Sequence, residues 1–367
     1  MAQKLQYLWQ TNMKSIKNSL ILASVVMLVF SSCKNDLKLN APYKEYPSIY
    51  AVLNPDEDKQ MIRINKVFLG ETDANQMAKV ADSVNYKADE ITVTLKHSVN
   101  PAIITFQEEV IQTDPGTFNT TQRVYVTTEK LETSGIYTLT VTNNHTGNVF
   151  TATTTAISKI NRNNQIFVLF GGPDYPAPPT TDPASPHYVD YSALAPKFPY
   201  HFRFYPNEGE VYKLTMRLHF YDSLFDGSKI YRAVDYNGEN IEKKGKPEID
   251  ITFRGSDIFN AAGVGLSKMG LNNDLIGRKM YKIEYIINSS TQDYIDYLQY
   301  ASPSLSINQN KPLYSNFKDN KALGIFTFRT TFTMSKSLNN VFITAFADNS
   351  STCYKFLKAN GTVGCFK

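Results

Sequence analysis

Tryptophan is almost missing from this sequence: its 367 residues hold one, Trp9, near the amino terminus, so the rest of the chain offers no indole to a ligand. Cysteine is scarce too, at three, which excludes the dense disulfide framework of a small secreted scaffold. The five histidines, His97, His145, His187, His201 and His219, are scattered. None forms His-Glu-x-x-His or joins a cysteine cluster, so neither a metal nor a cofactor is expected. His201 and His219 could lie on adjacent strands, although packing on a sheet face is the simpler expectation. Gly263-Val264-Gly265 lacks the third glycine of a dinucleotide loop, and Gly265 to Met269 lacks the closing glycine of a nucleophile elbow. No catalytic constellation emerges, and a non-enzymatic protein is expected.

Acidic residues are absent from the first 33 positions, which contain Lys4, Lys14 and Lys17. Setting those three lysines aside leaves 35 basic against 34 acidic residues, a net charge of +1 on the remaining body. A body so close to neutral gives no electrostatic basis for binding nucleic acid. From Met13 the chain reads as a secretory signal: basic Lys14 and Lys17, an uncharged run from Leu20 to Phe30, then Ser31-Ser32-Cys33. That run of about 11 residues is shorter than the roughly 20 needed to span a bilayer as a helix. Residues 1–32 are therefore expected to be a signal peptide whose true start is Met13. Small residues before a cysteine resemble a bacterial lipobox, which implies lipidation of Cys33. Two or more acyl chains anchor a protein stably where one does not. With Cys33 assigned, Cys353 and Cys365 remain and are expected to pair, closing a loop of about a dozen residues around Asn360-Gly361 and adding about 3 kcal/mol.

Residues 33–47 read as the lipidated cysteine and a polar tether with Pro42 and Pro47. Short β-prone runs follow at Ser48 to Leu53, Met61 to Phe68, Ile91 to His97, Arg123 to Thr127, Ile136 to Thr142 and Val149 to Thr155. Ile91, Val93 and Leu95 alternate with Thr92, Thr94 and Lys96, the signature of a half-buried strand. Residues 48–157 are accordingly expected to form an immunoglobulin-like β-sandwich. Asn143 to Gly147 reads as a hairpin loop, and Asp56-Glu57-Asp58 as a solvated turn that lacks the glycine of a calcium loop. After a linker at Ser158 to Asn164, residues 165–367 are expected to form a second β-rich domain with two short helices. One is capped by Ser256; the other is opened by Ser290 with Asp293 and stopped by Pro303. Strands are expected at Gln165 to Phe170, Val211 to Tyr221, Glu248 to Phe253, Lys279 to Asn288, Leu323 to Met334 and Val341 to Phe346. Lys213 to Phe220 alternates throughout, which predicts a solvated face.

Residues 171–205 interleave Tyr175, Tyr188, Tyr191, Tyr200 and Tyr205 with prolines. Rigid prolines and aromatic rings can present a pre-organised contact surface. The plainer expectation is that these tyrosines pack on their own domain.

The lipobox, Pro47-Ser48-Ile49-Tyr50-Ala51-Val52-Leu53-Asn54 and Met61 to Gly70, with Tyr294-Ile295-Asp296-Tyr297-Leu298 and Ala322 to Phe326, resemble uncharacterised cell-envelope lipoproteins of Bacteroidota. Such lipoproteins are often encoded near TonB-dependent receptors. The resemblance implies an outer-membrane, lipid-anchored binding or accessory component, on the cell surface or the periplasmic face, with an outer-membrane receptor or another envelope protein as partner. It transfers no functional residue. A fimbrial or adhesive subunit is the alternative, and a surface-polymer hydrolase a third.

Overall fold

Apolar residues at every second position make strands of most of this chain. The computed structural model describes residues 46–67, 79–113, 120–160, 167–170, 199–270, 272–301 and 314–366, which all fall in one compact unit. In chain order the first elements are β1 (Tyr46–Leu53), β2 (Gln60–Val67), the single turn α1 (Ala81–Val84), β3 (Ile91–His97), β4 (Ile103–Thr105), β5 (Gln107–Gln112), β6 (Thr121–Thr127), β7 (Ile136–Asn143) and β8 (Val149–Thr155). Next come β9 (Phe167–Phe170), β10 (Tyr200–Phe204), β11 (Val211–Leu224), β12 (Lys229–Glu242), β13 (Ile249–Phe253), α2 (Gly255–Met269), β14 (Leu275–Ser290), α3 (Gln292–Ala301), β15 (Leu323–Lys336) and α4 (Asn340–Asp348). The fold is mainly β, as expected.

One sheet of eight strands, ordered β12-β11-β14-β15-β1-β2-β6-β5, runs through both halves of the sequence. Its seam is a parallel pairing of β1 with β15, which sets Ile49 opposite Gly324 and Leu53 opposite Phe328. The close approach there requires glycine: Gly324 has φ +109°, and a Cβ on it would overlap the Ile49 carbonyl. A four-stranded sheet, β4-β3-β7-β8, shares a core with β1 and β2 through Ile49, Ala51, Ile62, Val93, Leu139 and Val141. A second core lies under β11, β14 and the three-stranded sheet β13-β10-β9, with Leu214, Met216, Phe202 and Ile251 buried in it. β15 serves both cores, giving Phe326 and Phe328 to the first and Phe332 and Met334 to the second.

The segment expected as a linker starts as a bridge between the cores. Ile157 belongs to the first and Ile160 to the second, and the Ser158 carbonyl accepts from Asn207 Nδ2 and Thr330 Oγ1. Residues 161–164 lie outside the described residues.

Both expected helices form, with different caps. In α2 the buried stripe is Ile258, Phe259, Ala262 and Leu266, but Asp257 accepts from the Arg254 N–H at 3.0 Å, which puts the cap at Arg254 instead of Ser256. Gly263, a poor helix former, lies where a Cβ would strike the Ser351 carbonyl. In α3 the first N–H, on Gln292, donates to Glu210 at 2.8 Å, while Ser290 is the last residue of β14. The strand expected at Val341 to Phe346 is corrected: it is α4. Asn339 caps it by accepting from the Val341 N–H at 2.6 Å, and Phe342 and Phe346, one turn apart, both pack on Phe259. Burial of that aromatic pair outweighs the strand preference of Val341, Ile343 and Thr344.

Candidate functional site

The predicted solvated face of β11 is the place where exposed chemistry concentrates. Leu214, Met216, Leu218 and Phe220 point into the second core, so Thr215, Arg217, His219 and Tyr221 point to the other side. Register completes that face: Asp235 lies opposite Arg217, Ala233 opposite His219 and Tyr231 opposite Tyr221 on β12, while Glu284 and Lys282 of β14 flank Arg217 and His219. A register irregularity between His219 and Phe220 brings Tyr281 alongside the other two tyrosines.

The three rings form a triangle. Tyr221, Tyr231 and Tyr281 have centroids 5.9 to 6.2 Å apart, with Lys229 Nζ 4.7 Å above the Tyr221 ring. Tyr231 is 67% exposed and Tyr281 38%. Beside them is a depression of 380 Å³ lined by Arg217, His219, Tyr231, Arg232, Ala233, Asp235 and Tyr281. The small Ala233 side chain opens it, lying between a row of rings and a row of charges.

Fixed partners hold the polar groups. Arg217 makes two bonds of 2.8 Å to Asp235, and this hydrogen-bonded carboxylate raises the guanidinium pKa. His219 Nε2 lies 3.2 Å from Glu284. Nε2–H donates to that carboxylate, and Nδ1 has no partner among the described residues. Behind the sheet, Asp222 is fully buried and accepts from Arg278 Nε at 3.0 Å and from Arg232 Nε at 2.7 Å. Burial lowers the Arg278 pKa against the pull of Asp222. That ion triad fixes the strand ends on which the tyrosines stand. The arrangement is suited to binding: rigid rings, fixed charges and one open imidazole nitrogen on a sheet face. No family model matches this chain, and no curated protein matches it.

Two other features are less suited. A depression of 510 Å³ beside Lys66, Lys87 and His145 has no Phe, Tyr or Trp among its described lining residues. On α3, Tyr297 and Tyr300 meet Tyr314, whose hydroxyl donates to Asp293 at 2.6 Å. Burial and that carboxylate both raise the Tyr314 pKa, which fits a cluster that holds the helix to the sheet.

Of the residues singled out in the sequence, His219 lines the depression beside the tyrosine triangle. Cys33, Tyr175, Tyr188 and Tyr191 lie outside the described residues. Tyr200 is buried and stacks on Phe253 at 5.7 Å, and Tyr205 is exposed. Cys353 and Cys365 are joined, with Cα atoms 5.0 Å apart. His201 and His219 are not on adjacent strands, because β10 and β11 belong to different sheets; His201 instead meets Asp250 at 2.9 Å. The Asp56 turn is organised by Asn54, whose side chain accepts from the Asp56 N–H at 3.1 Å. The tyrosine triangle has no local sequence signal. Its one trace is Tyr221 on the outward phase of an alternating strand.

Proposed function

We propose that this chain is an outer-membrane lipoprotein, anchored through Cys33, that acts as a non-enzymatic binding component of an envelope complex and presents the outer face of β11, β12 and β14 as its contact surface. The observation that carries the reading is the exposed tyrosine triangle with its adjoining depression, standing on hydrogen-bonded strands. Aromatic rings and arginine on a rigid support are the residues that dominate binding energy at contact surfaces. Assistance to TonB-dependent uptake is the role this anchoring and this surface fit. Within it, the two layers over the first core are read as an immunoglobulin-like sandwich, supported by two opposed sheets of short, alternating strands.

A fimbrial role fits less well. β1 is hydrogen-bonded on both sides and buries Ile49, Ala51 and Leu53 completely, so freeing it by proteolysis would open the first core. The test is membrane fractionation of the full chain and Cys33→Ser, followed by affinity capture from solubilised outer membrane with and without Tyr231→Ala. Release of Cys33→Ser from the membrane and loss of a co-purifying envelope component from Tyr231→Ala are expected. Unchanged fractionation, or capture indifferent to Tyr231, refutes the reading.

A further inference from the structure

Three separate parts of the chain each bring one large apolar side chain to a single end of the eight-stranded sheet. Phe225 stands in the β11–β12 turn, where polar residues are usual, and is 72% exposed. The turn is fixed: the Leu224 N–H donates to the Ser228 carbonyl at 3.0 Å, and the Phe225 N–H to the Asp274 carbonyl at 3.1 Å. Two residues beyond Asp274, the register shift between Ser223 and Leu224 leaves Ile276 without a partner on β11, and it is 47% exposed. On the other side of β14, one bridge joins Arg278 to Phe356 in parallel and a second joins Tyr354 to Phe366, which sets Phe366, 57% exposed, level with Ile276. Lys355 ties the two segments together: its Nζ donates to the Leu275 carbonyl at 3.1 Å and lies 4.9 Å from the centre of the Phe366 ring. An exposed apolar residue needs no explanation alone, but three held side by side do.

Resting on the reading of Cys33 as a lipid anchor, we infer that this end of the sheet docks on a lipid bilayer, with Phe225, Ile276 and Phe366 entering the acyl boundary. The three stand on a turn, a bulge and a chain end, as separate prongs. A protein partner would need a socket for each, whereas lipid closes around them and binds in proportion to the apolar area it covers. Lys229 and Lys279, both exposed, and Lys355 border the prongs, and lysine stems lie along apolar surface while the ammonium stays in the headgroup layer. These lysines outnumber the neighbouring carboxylates, Asp226 and Asp274, by one, so burial of apolar side chains is the main drive and attraction to anionic headgroups secondary. Tyr221, Tyr231 and Tyr281 follow just behind, rings with a polar tip that suit the headgroup layer. The tether permits the docking. Tyr46 follows Cys33 by 13 positions, up to about 45 Å of chain. From Tyr46 the strands run toward the prongs along β15 to Lys336 and then from Ile283 to Ile276 on β14, no more than roughly 65 Å. An anchored body lying along the bilayer therefore brings the prongs to it, and the anchor raises their effective concentration there.

The near-absence of tryptophan supplies the test. Phe225→Trp in a Trp9→Phe chain places a single indole at the tip. The lipidated full chain is reconstituted into phosphatidylcholine vesicles, with and without phosphatidylglycerol, and with acyl chains plain or brominated. Blue-shifted emission quenched by the brominated chains is expected in both lipid mixtures. The Cys33→Ser chain, titrated with the same vesicles, is expected to bind through the tip alone, with roughly tenfold loss in Phe225→Ser and in Phe366→Ser; thermal unfolding checks that both variants fold. Emission from position 225 that stays aqueous while the lipidated chain sits on the vesicles overturns the docking and leaves the anchor standing. Vesicle binding by Cys33→Ser that depends on Phe225 supports the docking even where fractionation defeats the anchor. Binding confined to vesicles with phosphatidylglycerol and abolished by salt overturns apolar insertion in favour of lysine attraction. Shielding of position 225 only in solubilised outer-membrane complexes, with none on vesicles, overturns the lipid surface in favour of a protein socket.

Discussion

Replacing Gly324 with alanine tests the seam of the large sheet. Two costs add. Holding a non-glycine residue at φ +109° costs about 1–3 kcal/mol. The new Cβ meets the Ile49 carbonyl, so β1 and β15 must separate locally, weakening one or two ladder bonds at about 1 kcal/mol each. The lower entropy of the unfolded alanine chain returns about 0.4–1 kcal/mol. The net loss is about 3 kcal/mol, a large share of the 5–15 kcal/mol typical of a folded domain. Gly147→Ala is the control: its φ is +73° with nothing within 4 Å, so it pays only the backbone cost, about 1 kcal/mol. Urea unfolding measures both. If the seam couples the cores, Gly324→Ala also separates the transitions seen by probes in each. A loss no larger than that of Gly147→Ala refutes steric closure at the seam, and coincident transitions refute the coupling.

Tyr125, buried in the first core, has a hydroxyl without a hydrogen-bond partner among the described residues, and burial pushes its pKa up to about 12. Unfolded tyrosine ionises near pH 10, so stability is intact below that pH and falls by about 2–3 kcal/mol as pH rises from 10 to 12. Tyr125→Phe is expected to flatten that decline in alkaline denaturant titrations and to stabilise the neutral protein by about 1 kcal/mol; an unchanged alkaline slope counts against the assignment. Removing both Cys353 and Cys365 is expected to cost about 3 kcal/mol, from a bridge spanning a sequence separation of 12. Thiol titration of the unfolded chain with and without reductant, beside thermal melts, checks this; identical melts in both conditions refute a stabilising bridge.

Local alternation was readable wherever one face is buried. Val93, Leu95, Leu139 and Val141 all lie in the core, on the strands their spacing predicts. β12 was missed because its run buries little beyond Val234 and Gly238 and carries polar residues on both sides. The polar edge strand β5 was missed for the same reason. α4 was misread because its β-branched residues outnumber the two phenylalanines that fix its face. The seam between β1 and β15 joins residues from opposite ends of the chain, and no window of sequence contains both. The tyrosine triangle has the same origin: three strands each supply one ring, and none looks unusual alone.

The parallel seam also sets an order in time. Ile49 and Gly324 are about 275 positions apart, so as the chain emerges from its amino terminus, β1 has one side satisfied by β2 and the other open until nearly all the rest has appeared. The first core likewise waits for Phe326 and Phe328. A protein wired this way assembles late and as a whole: a chain interrupted before β15 is left with an open strand edge and an incomplete core, not a finished amino-terminal half.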